Sequence, residues 1–380
     1  MKSIMQKDLW SITSFLENKN YKFNKENILT QLPEKFIEEA IKAISSWDNY
    51  APTPLVKLNK LNDELKFKNI YYKDEDKRFD LKSFKALGGA FAVYKIASEK
   101  KNITVSTATA GNHGRSVAWG AQRLGLKCKI FISEFVSESR AEAMRKLDAE
   151  VIRVKGNYDN SLKECIKQSK ENNWEIVQDV SWEGYKEVPK LIMAGYTIMI
   201  KEILDEVKSN SISHVFLQAG VGGMAAAMIA GFAKLSQNIP KFIIVEPENA
   251  DCVFQSIKNN KPTSVDIKKE TVMGGMSCGD VSSIAWEILK NSSNYCLTIS
   301  DEAISTTVAL LAEKRLSDEK IIAGECAVPG IIALISSFNN KEYLDKLELN
   351  EQSNVLLFGC EGLTDSAMYQ KLLSDGLQKI

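Results

Sequence analysis

The chain has 380 residues, more than one ordinary domain needs, so we expect two domains or one large α/β unit. Lys and Arg together number 49, as do Asp and Glu, and this balance gives no electrostatic reason to expect a nucleic acid or an anionic membrane as a partner. The longest apolar stretches are too short for a membrane-spanning helix and the charged N-terminus lacks a signal-peptide core, so the expected location is the cytoplasm.

The first 50 residues are expected to be partly helical and partly irregular. After them, "APTPLVKLN" is a proline-punctuated turn, and "KNIYYKDED" predicts a strand that ends in charged residues. In the segment that follows, apolar side chains recur at i, i+3, i+7 and i+10 from Phe84. This spacing predicts a helix with one apolar face.

A regular alternation begins at Thr104. Four β-rich runs start at Thr104, Lys127, Ala149 and Trp174, at intervals of 23, 22 and 25 residues, and segments with helical periodicity fill the gaps. Strands that alternate with helices at this spacing form βαβ units. They therefore predict a parallel sheet.

The alternation resumes after a helical stretch that ends at about Lys208. "SHVFLQA", a glycine loop and "KFIIVEPE" predict a second set of strands and helices, and "NVLLFGCEG" predicts a further strand. The expected fold is α/β, with two open, twisted, mainly parallel sheets and a cleft between them. The expected large domain comprises residues 1–95 and 209–380, and the small domain comprises residues 96–208.

Cysteine and histidine usage limits the possible chemistry. The seven cysteines are scattered without a CxxC pair, which favours reduced, mostly buried thiols, although a Cys252–Cys278 pair stays open. Only His113 and His214 are present, so no metal cofactor is expected.

Two junctions between a predicted strand and a helix carry reactive or polar side chains. Open α/β sheets bind ligands at such places. In "SFKALGG", Lys85 begins an apolar helix, and a partly desolvated lysine has a lowered pKa and can form a Schiff base; the alternative is a solvated surface lysine. In "AGNHG", Asn112 can donate and accept hydrogen bonds. The alternatives are that Asn112 is a helix N-cap and His113 a packing residue.

A third junction, "QAGVGGM", opens a helix of small residues. Gly220, Gly222 and Gly223 would expose backbone N–H groups at the helix N-terminus, where anions bind; the alternative is tight packing of the helix on a strand. The spacing matches neither GxGxxG nor a P-loop, so a small phosphate monoester fits better. Together the junctions supply an amine for a carbonyl, polar groups for a ring and a cradle for a phosphate. Pyridoxal phosphate requires these three features.

Eight motifs occur in a fixed order along most of the chain. They are "PTPL", "KDEDKRFDLKSFKALGG", "AGNHGRSVAW", "IVQDVSWEGY", "QAGVGGM", "VEPENADC", "TVMGGMSCG" and "EGLTD". With these motifs the chain resembles, from about Pro52 to about Tyr369, the fold-type II pyridoxal-phosphate enzymes, the tryptophan synthase β family. Within that family "QDVSWEGY" and "EGLTD" are similar to the diaminopropionate ammonia-lyases.

The resemblance implies pyridoxal 5'-phosphate as the cofactor, held in the cleft between the two domains, and a homodimer. It implies that Lys85 carries the cofactor as a Schiff base, that Asn112 binds the hydroxyl group of its ring, and that Cys360 meets its ring nitrogen. The backbone amides that would hold the phosphate are those of Gly220, Val221, Gly222, Gly223 and Met224.

The activity that the resemblance implies is β-elimination. L-2,3-diaminopropionate, or a close β-substituted amino acid, would be converted to pyruvate and ammonia. Lys85, once freed by the substrate amine, is placed to take the Cα proton, and Asp179 matches the aspartate that the family uses for the L-isomer. The alternative role of Asp179 is to cap the end of a strand or the turn after it.

Three positions depart from the family pattern. Ala110 stands immediately before "GNHG", where the family has a second aspartate that serves the D-isomer. Because alanine cannot act as a base, we expect loss of D-isomer activity. Asp80 stands where the family tends to glycine, and Leu363 where it tends to an acidic residue.

Other functions stay open at this point. On the same chemistry, the chain could be a serine or threonine dehydratase or a β-replacement synthase. A non-catalytic amino-acid-binding protein on the same fold is a third alternative. Retention of both Lys85 and Asp179 argues against the last, because a binding protein needs neither.

Overall fold

The computed structural model describes Met5 and residues 8–109, 111–207 and 212–380. The strands of the described chain, β1 to β11, are Ile12–Glu17, Leu55–Lys57, Asn69–Asp74, Thr104–Ala108, Lys127–Ser133, Ala149–Val154, Glu175–Ile176, His214–Gln218, Lys241–Pro247, Tyr295–Ile299 and Asn354–Gly359. The helices, α1 to α16, are Lys25–Gln31, Glu34–Ser45, Asn59–Leu65, Lys85–Glu99, Asn112–Arg123, Glu138–Arg145, Tyr158–Asn172, Glu187–Tyr196, Ile198–Val207, Gly223–Leu235, Cys252–Asn259, Ser283–Ser292, Ile304–Ala312, Pro329–Asn339, Lys341–Leu347 and Ser366–Leu377.

The chain divides into two compact units. The first contains the described parts of residues 1–31, 52–77 and 199–380, and it holds a seven-stranded sheet in the order β1-β10-β9-β8-β11-β3-β2. The two edge strands, β1 and β2, pair antiparallel with their neighbours, and the inner strands pair in parallel. The inner strands β8 and β11 are buried along their whole length, as parallel strands covered on both faces are.

The second unit contains the described parts of residues 32–51 and 78–198. Its sheet has four parallel strands in the order β6-β5-β4-β7. These strands correspond to the four β-rich runs predicted from the sequence, although β7 is only two residues long. The predicted α/β class with two mainly parallel sheets is therefore confirmed.

The boundaries of the units differ from the expected domain boundaries. Helix α4, which begins with Lys85, lies in the second unit because it packs against α5 and α8. The expected division had placed this helix, within residues 1–95, in the large domain. The other expected boundary, between residues 208 and 209, lies outside the described residues.

Each sheet has a point where the strand order reverses. In the seven-stranded sheet the chain places β9 on one side of β8 and β11 on the other, and in the four-stranded sheet it places β5 and β7 on opposite sides of β4. Ligands of open α/β sheets bind beyond the carboxyl ends of the strands at such points. The residues predicted for the site follow these strands: Gly220–Met224 after β8, Cys360 after β11, Asn112 after β4 and Asp179 after β7.

The cysteines agree with the prediction of reduced, mostly buried thiols. All seven lie in the described part of the chain and are free, so Cys252 and Cys278 form no disulfide here. Six are buried, and Cys278 is half-buried. A membrane-spanning helix was not expected, and none of the described helices is long and apolar enough to cross a bilayer.

Candidate active site

Lys85 and Asp179 form an ion pair in the second unit. Lys85 is the first residue of α4, and its Nζ lies 2.5 Å from Oδ2 of Asp179, which follows β7. The side chains are 27% and 15% exposed, so the amine is half-buried, unlike the solvated surface lysine considered above. The carboxylate of Asp179 points to this amine, a contact that a strand-end cap alone does not explain.

Aromatic rings complete the surroundings of the amine. Lys85 Nζ lies 5.4 Å from the ring centroid of Phe84 and 5.8 Å from that of Tyr196, distances at which a cation is attracted by a ring face. Tyr196 comes this close because Gly88 has no side chain: a Cβ there would lie 2.4 Å from Cε1 of Tyr196. Its hydroxyl is buried, and burial raises its pKa while the nearby Lys85 opposes that shift. No motif indicates a role for Tyr196, which lies at the end of a largely apolar helix.

His113 faces the same carboxylate. Its Nε2 lies 2.8 Å from the carbonyl oxygen of Val177, and its Nδ1 lies 3.8 Å from Oδ2 of Asp179. Nδ1 is buried and has no hydrogen-bond partner among the described residues. His113 is therefore buried as a packing residue would be, but only one of its two ring nitrogens is hydrogen-bonded to a described residue.

The segment that carries Asp179 is held by its neighbour Gln178. The Gln178 side chain accepts hydrogen bonds from the Thr107 hydroxyl (2.8 Å) and the Ala108 amide (3.1 Å), and it donates to the Ala108 carbonyl (3.0 Å). These bonds tie the residues after β7 to the end of β4. They position the Asp179 carboxylate even though β7 itself is short.

The charges of the group act on each other. Burial opposes ionisation of Asp179, but the positive charges that His113 and Lys85 can carry, with the hydrogen bond from Lys85, hold the pKa of this carboxyl well below its usual range. Burial lowers the pKa of His113; the Asp179 carboxylate opposes that shift and the Lys85 ammonium adds to it. At neutral pH the Lys85 amine thus faces a carboxylate, and the imidazole beside that carboxylate is neutral.

Asn112 occupies the start of α5 without capping it. The N-cap of the helix is Gly111, and Asn112 is the first helical residue, so the N-cap interpretation of Asn112 is wrong. Its proposed contact with the cofactor stays a prediction. Ala110 lies outside the described residues, and its interpretation depends on the sequence alone.

In the first unit, the loop after β8 ends at the N-terminus of the thirteen-residue helix α10. Gly222 is the N-cap of this helix and has φ +87°, in the left-handed region that favours glycine. A Cβ on Gly223 would meet no heavy atom of the described chain within 4 Å. The position of a side chain at Gly223 is therefore open, and it lies beside the first N–H groups of α10, which have no partner within the helix.

Cys360 follows β11, the neighbour of β8. Its Sγ donates to the carbonyl oxygen of Cys326 at 3.2 Å, and Nε2 of Gln218, at the end of β8, donates to the same oxygen at 2.9 Å. A second Gln218 bond, 2.7 Å to the carbonyl oxygen of Phe358, joins the ends of both strands. These bonds thus hold the thiol and the glycine loop together at the carboxyl ends of β8 and β11.

A buried acidic cluster lies beside Cys360. Glu325, Cys326 and Glu361 bring one possible metal-ligand atom each to within 4.8 Å of one another. Burial, and then the nearby glutamates, raise the pKa of the Cys326 thiol well above its usual value, and a protonated thiol is a poor metal ligand. The absence of a metal cofactor stays a prediction.

The backbone before Lys85 is strained. Phe79, Asp80 and Lys82 have φ values of 49°, 60° and 58°, in the left-handed region that side chains with a Cβ rarely adopt. Asp80 is exposed and is the position where the resemblance indicated glycine. The backbone keeps this conformation with an aspartate at position 80. The replacement of glycine therefore lowers the stability of the protein locally and does not change its structure.

We expect Asp80→Gly to stabilise the protein by about 0.5–1 kcal/mol, because glycine adopts a positive φ without steric cost. The thermal midpoint of the holoenzyme should rise by about 1–3 °C, measured by calorimetry. Asp80→Ala is the matched control, since it removes the carboxylate and keeps Cβ, and it should not raise the midpoint. A Gly variant that melts below the wild type would contradict the interpretation.

A half-buried amine paired with a carboxylate, a phosphate-type cradle and a thiol at a strand end agree with the comparison of the whole sequence with known families. Residues 47–361 match the family described as pyridoxal-phosphate dependent enzyme, so the chain belongs to this family. The particular protein that it resembles is diaminopropionate ammonia-lyase. The enzyme of Escherichia coli (strain K12) is 34% identical over 352 residues, which cover 86% of this chain and 88% of the relative.

Solved structures of the Escherichia coli diaminopropionate ammonia-lyase have the same fold. The complex with D-serine superposes with a TM-score of 0.89 at 30% identity, and it covers 97% of this chain and 99% of that one. The complex with an aminoacrylate–pyridoxal phosphate azomethine reaction intermediate superposes with a TM-score of 0.88 at 31% identity, with the same coverage. The resemblance inferred from the ordered motifs is thereby confirmed.

The residues present fit pyridoxal phosphate. In the second unit Lys85 offers a primary amine in a half-buried setting, the type of group that binds the aldehyde carbon. In the first unit the N-terminus of α10 offers backbone amides beside the open position at Gly223. Cys360, by donating to a carbonyl, is a protonated thiol rather than an anion, in keeping with a neutral partner for the ring nitrogen.

Proposed function

We propose that the protein is a carbon–nitrogen lyase that converts L-2,3-diaminopropionate, or a close β-substituted L-amino acid, to pyruvate and ammonia. The observation that carries this proposal is the Lys85–Asp179 ion pair, which places an amine and a carboxylate 2.5 Å apart beyond the end of β7. The 34% identity with diaminopropionate ammonia-lyase over 86% of the chain supports the substrate class.

Pyridoxal phosphate, when bound, supplies a carbonyl that condenses with amines and a ring that withdraws electrons from the α-carbon. We assign Lys85 to the carbonyl carbon and Asn112 to the ring hydroxyl. The backbone amides from Gly220 to Met224 are assigned to the phosphate, and Cys360 to the ring nitrogen. A neutral thiol at that nitrogen leaves a milder electron sink, and this favours β-elimination over reactions that need a fully developed carbanion.

The remaining steps are proton transfers by the residues of this chain. Asp179 is ionised while it pairs with the Lys85 ammonium, so it is in the protonation state that accepts a proton. Once the substrate amine has replaced Lys85, we assign the Cα proton of the L-isomer to Asp179 rather than to the freed lysine. Departure of the β-amino group is then assisted by protonation, and hydrolysis releases pyruvate and ammonia.

The base that the family uses for the D-isomer is missing from this chain, because Ala110, which stands at that position, has no ionisable group. We therefore propose that the enzyme acts on the L-isomer alone. The Escherichia coli relative has been crystallised with D-serine, so the relative can bind a D-amino acid. We also propose a homodimeric assembly by analogy with the family, a small amino acid as the substrate with neither a nucleic acid nor a membrane as a partner, and a cytoplasmic location.

We expect pyruvate release to be faster from L-2,3-diaminopropionate than from L-serine or L-threonine, measured with lactate dehydrogenase coupling or as 2-oxobutyrate for threonine. Turnover of D-2,3-diaminopropionate should be at least about 100-fold slower than that of the L-isomer, because a missing general base costs about 10²–10⁴-fold in rate. Ala110→Asp should raise D-isomer turnover by about tenfold or more.

Each alternative function predicts a different result when these substrates are compared. Faster turnover of L-serine or L-threonine would make the protein a dehydratase. If substrate were consumed only when a nucleophile is added, and no pyruvate were formed, the protein would be a β-replacement synthase. Spectral shifts on binding without any product would indicate the non-catalytic protein. Wild-type turnover of the D-isomer at the L-isomer rate would overturn the interpretation of Ala110.

A further inference from the structure

The proton of the neutral His113 ring has one possible position. Nε2 lies 2.8 Å from the carbonyl oxygen of Val177, and a carbonyl oxygen can only accept a hydrogen bond. Nε2 must therefore carry the proton. A neutral imidazole has one N–H, so Nδ1 presents a lone pair.

This lone pair points to the Asp179 carboxylate. Nδ1 is 3.8 Å from Oδ2 of Asp179, the same oxygen that accepts from Lys85 Nζ, and the His113 side chain is only 3% exposed. Two acceptors cannot hydrogen-bond to each other, which explains why this distance exceeds that of a hydrogen bond. A proton added to either group would turn the contact into a hydrogen bond, after a movement of about 1 Å.

We propose that His113 is a positioning and proton-holding partner of Asp179, and that its Nδ1 shares the proton that Asp179 takes from the substrate. The inference rests on the proposed function, in which Asp179 is the base for the L-isomer. Val177, the backbone acceptor of His113, is only two residues before Asp179, so the ring is fixed to the segment that carries the base.

The proton balance is simple. The Cα–H bond breaks, its electron pair stays on the substrate carbon, and the proton moves to an oxygen of Asp179. The resulting carboxyl group donates to Nδ1 of His113, and full transfer gives an imidazolium beside a carboxylate. The held proton then passes to the departing amine or to water, which restores the neutral ring and the free carboxylate.

The surroundings of the ring favour this role. The titratable groups that act on His113 are Asp179, after β7, and Lys85, at the start of α4. While the Lys85 ammonium is present it pairs with Asp179 and disfavours a second positive charge on His113. A reaction that removes the ammonium charge leaves His113 as the basic neighbour of the carboxyl group. The ring can therefore accept the proton while the amine released from the cofactor is neutral, since only an ammonium at Lys85 opposes a positive charge on His113.

The variant His113→Gln distinguishes the uptake of a proton by His113 from its hydrogen bond to the Val177 carbonyl. The Gln amide can donate to the Val177 carbonyl in place of Nε2, but its oxygen, although it accepts hydrogen bonds, is too weakly basic to take up a proton. We expect the variant holoenzyme to keep its cofactor absorbance and a KM within about twofold. Its kcat on L-2,3-diaminopropionate should fall by about 10–100-fold, and exchange of the α-proton of the L-substrate with D2O should slow equally.

The pH dependence of kcat should also change in His113→Gln. In the wild type, protonation of His113 at low pH would hold Asp179 in an ion pair and weaken it as a base, so kcat falls as the pH drops. In His113→Gln this acidic limb should lie at lower pH, because only Asp179 remains to titrate. His214→Gln is the matched control: His214 is also buried, but both of its ring nitrogens are hydrogen-bonded. It should leave kcat and its pH profile unchanged.

A spectroscopic measurement tests the same geometry without turnover. The chain has only two histidines, so ¹⁵N-histidine labelling gives two rings to assign, by comparison with His113→Gln. We expect the His113 ring of the holoenzyme to be neutral and protonated on Nε2. An Nδ1–H tautomer would overturn the proposal, even if the Gln variant failed to fold.

The other possible results of these experiments also test the proposal. Wild-type kcat and pH profile in a folded His113→Gln would overturn the role of His113 and leave the proposed function intact. Loss of cofactor absorbance in that variant would show a structural role instead and would equally overturn the proposal. If the wild type released no product from any β-substituted L-amino acid, the proposed function itself would fail; the tautomer and the α-proton exchange would still report on His113.

Discussion

Lys85→Ala should remove the absorbance band of the covalently held cofactor and lower turnover of L-2,3-diaminopropionate by at least about 10⁴-fold. Lys85 provides the amine that binds the cofactor, and alanine has no nucleophilic group to replace it. Asp179 would keep the influence of His113 but lose that of Lys85, the second of the two charges that lower its pKa, so its carboxyl would become easier to protonate. The measurements are the absorbance spectrum after incubation with pyridoxal phosphate, borohydride trapping followed by mass spectrometry, and pyruvate release.

Lys95→Ala is the matched control for this loss. Lys95 lies on the same helix, its side chain is 21% exposed against 27% for Lys85, and its Nζ pairs with Glu39 at 2.9 Å. This variant removes an equally buried, equally paired lysine, and it should keep both the absorbance band and the activity. A borohydride-trapped cofactor on another lysine in Lys85→Ala, with turnover preserved, would refute the assignment of Lys85.

Asp179→Asn should lower kcat on the L-substrate by about 10²–10⁴-fold, the usual contribution of a general base, and leave the cofactor absorbance in place. Asparagine keeps the size of the side chain and can still accept from Lys85, but at neutral pH it cannot take a proton. KM should change far less than kcat, because the lost interaction acts in the transition state. Steady-state kinetics and α-proton exchange in D2O measure both effects.

The control for Asp179→Asn is Glu175→Gln. Glu175 lies on β7 and pairs with Lys100 at 2.6 Å, so this variant also neutralises one member of an ion pair in the same segment. It should leave kcat within about twofold, since surface ion pairs contribute little. An Asp179→Asn enzyme with nearly wild-type kcat would assign the Cα proton to Lys85 instead, the other base that the resemblance allows.

Features that depend on neighbouring residues could be predicted well. The four runs from Thr104 onward form β4 to β7, because the spacing of apolar residues sets strands and helices locally. The loop at Gly222 needed a positive φ, and a run of glycines announces such a loop in the sequence itself. The α/β class follows from these two signals together.

Features that depend on long-range packing could not be predicted. Helix α4 had been assigned to the large domain, but it packs on α5 and α8 in the second unit. Tyr196 contributes to the surroundings of Lys85 only because Gly88 leaves room for its ring on the neighbouring helix. Neither fact has a signal in the local sequence, because both depend on which helices become neighbours.

The cofactor class and the residues that could serve it can be inferred from short motifs, because the chemistry of the lysine, the "GNHG" turn and the glycine loop is local. The alanine at position 110, which cannot act as a base, is likewise evident from the chain alone. The pairing of Asp179 with Lys85, 94 residues away, and the approach of His113 Nδ1 to the same carboxylate depend on the packed fold. The reason is that β4 and β7 are neighbours in the sheet although two strands intervene in the chain, and strand order is a property of the packed fold that no local pattern specifies.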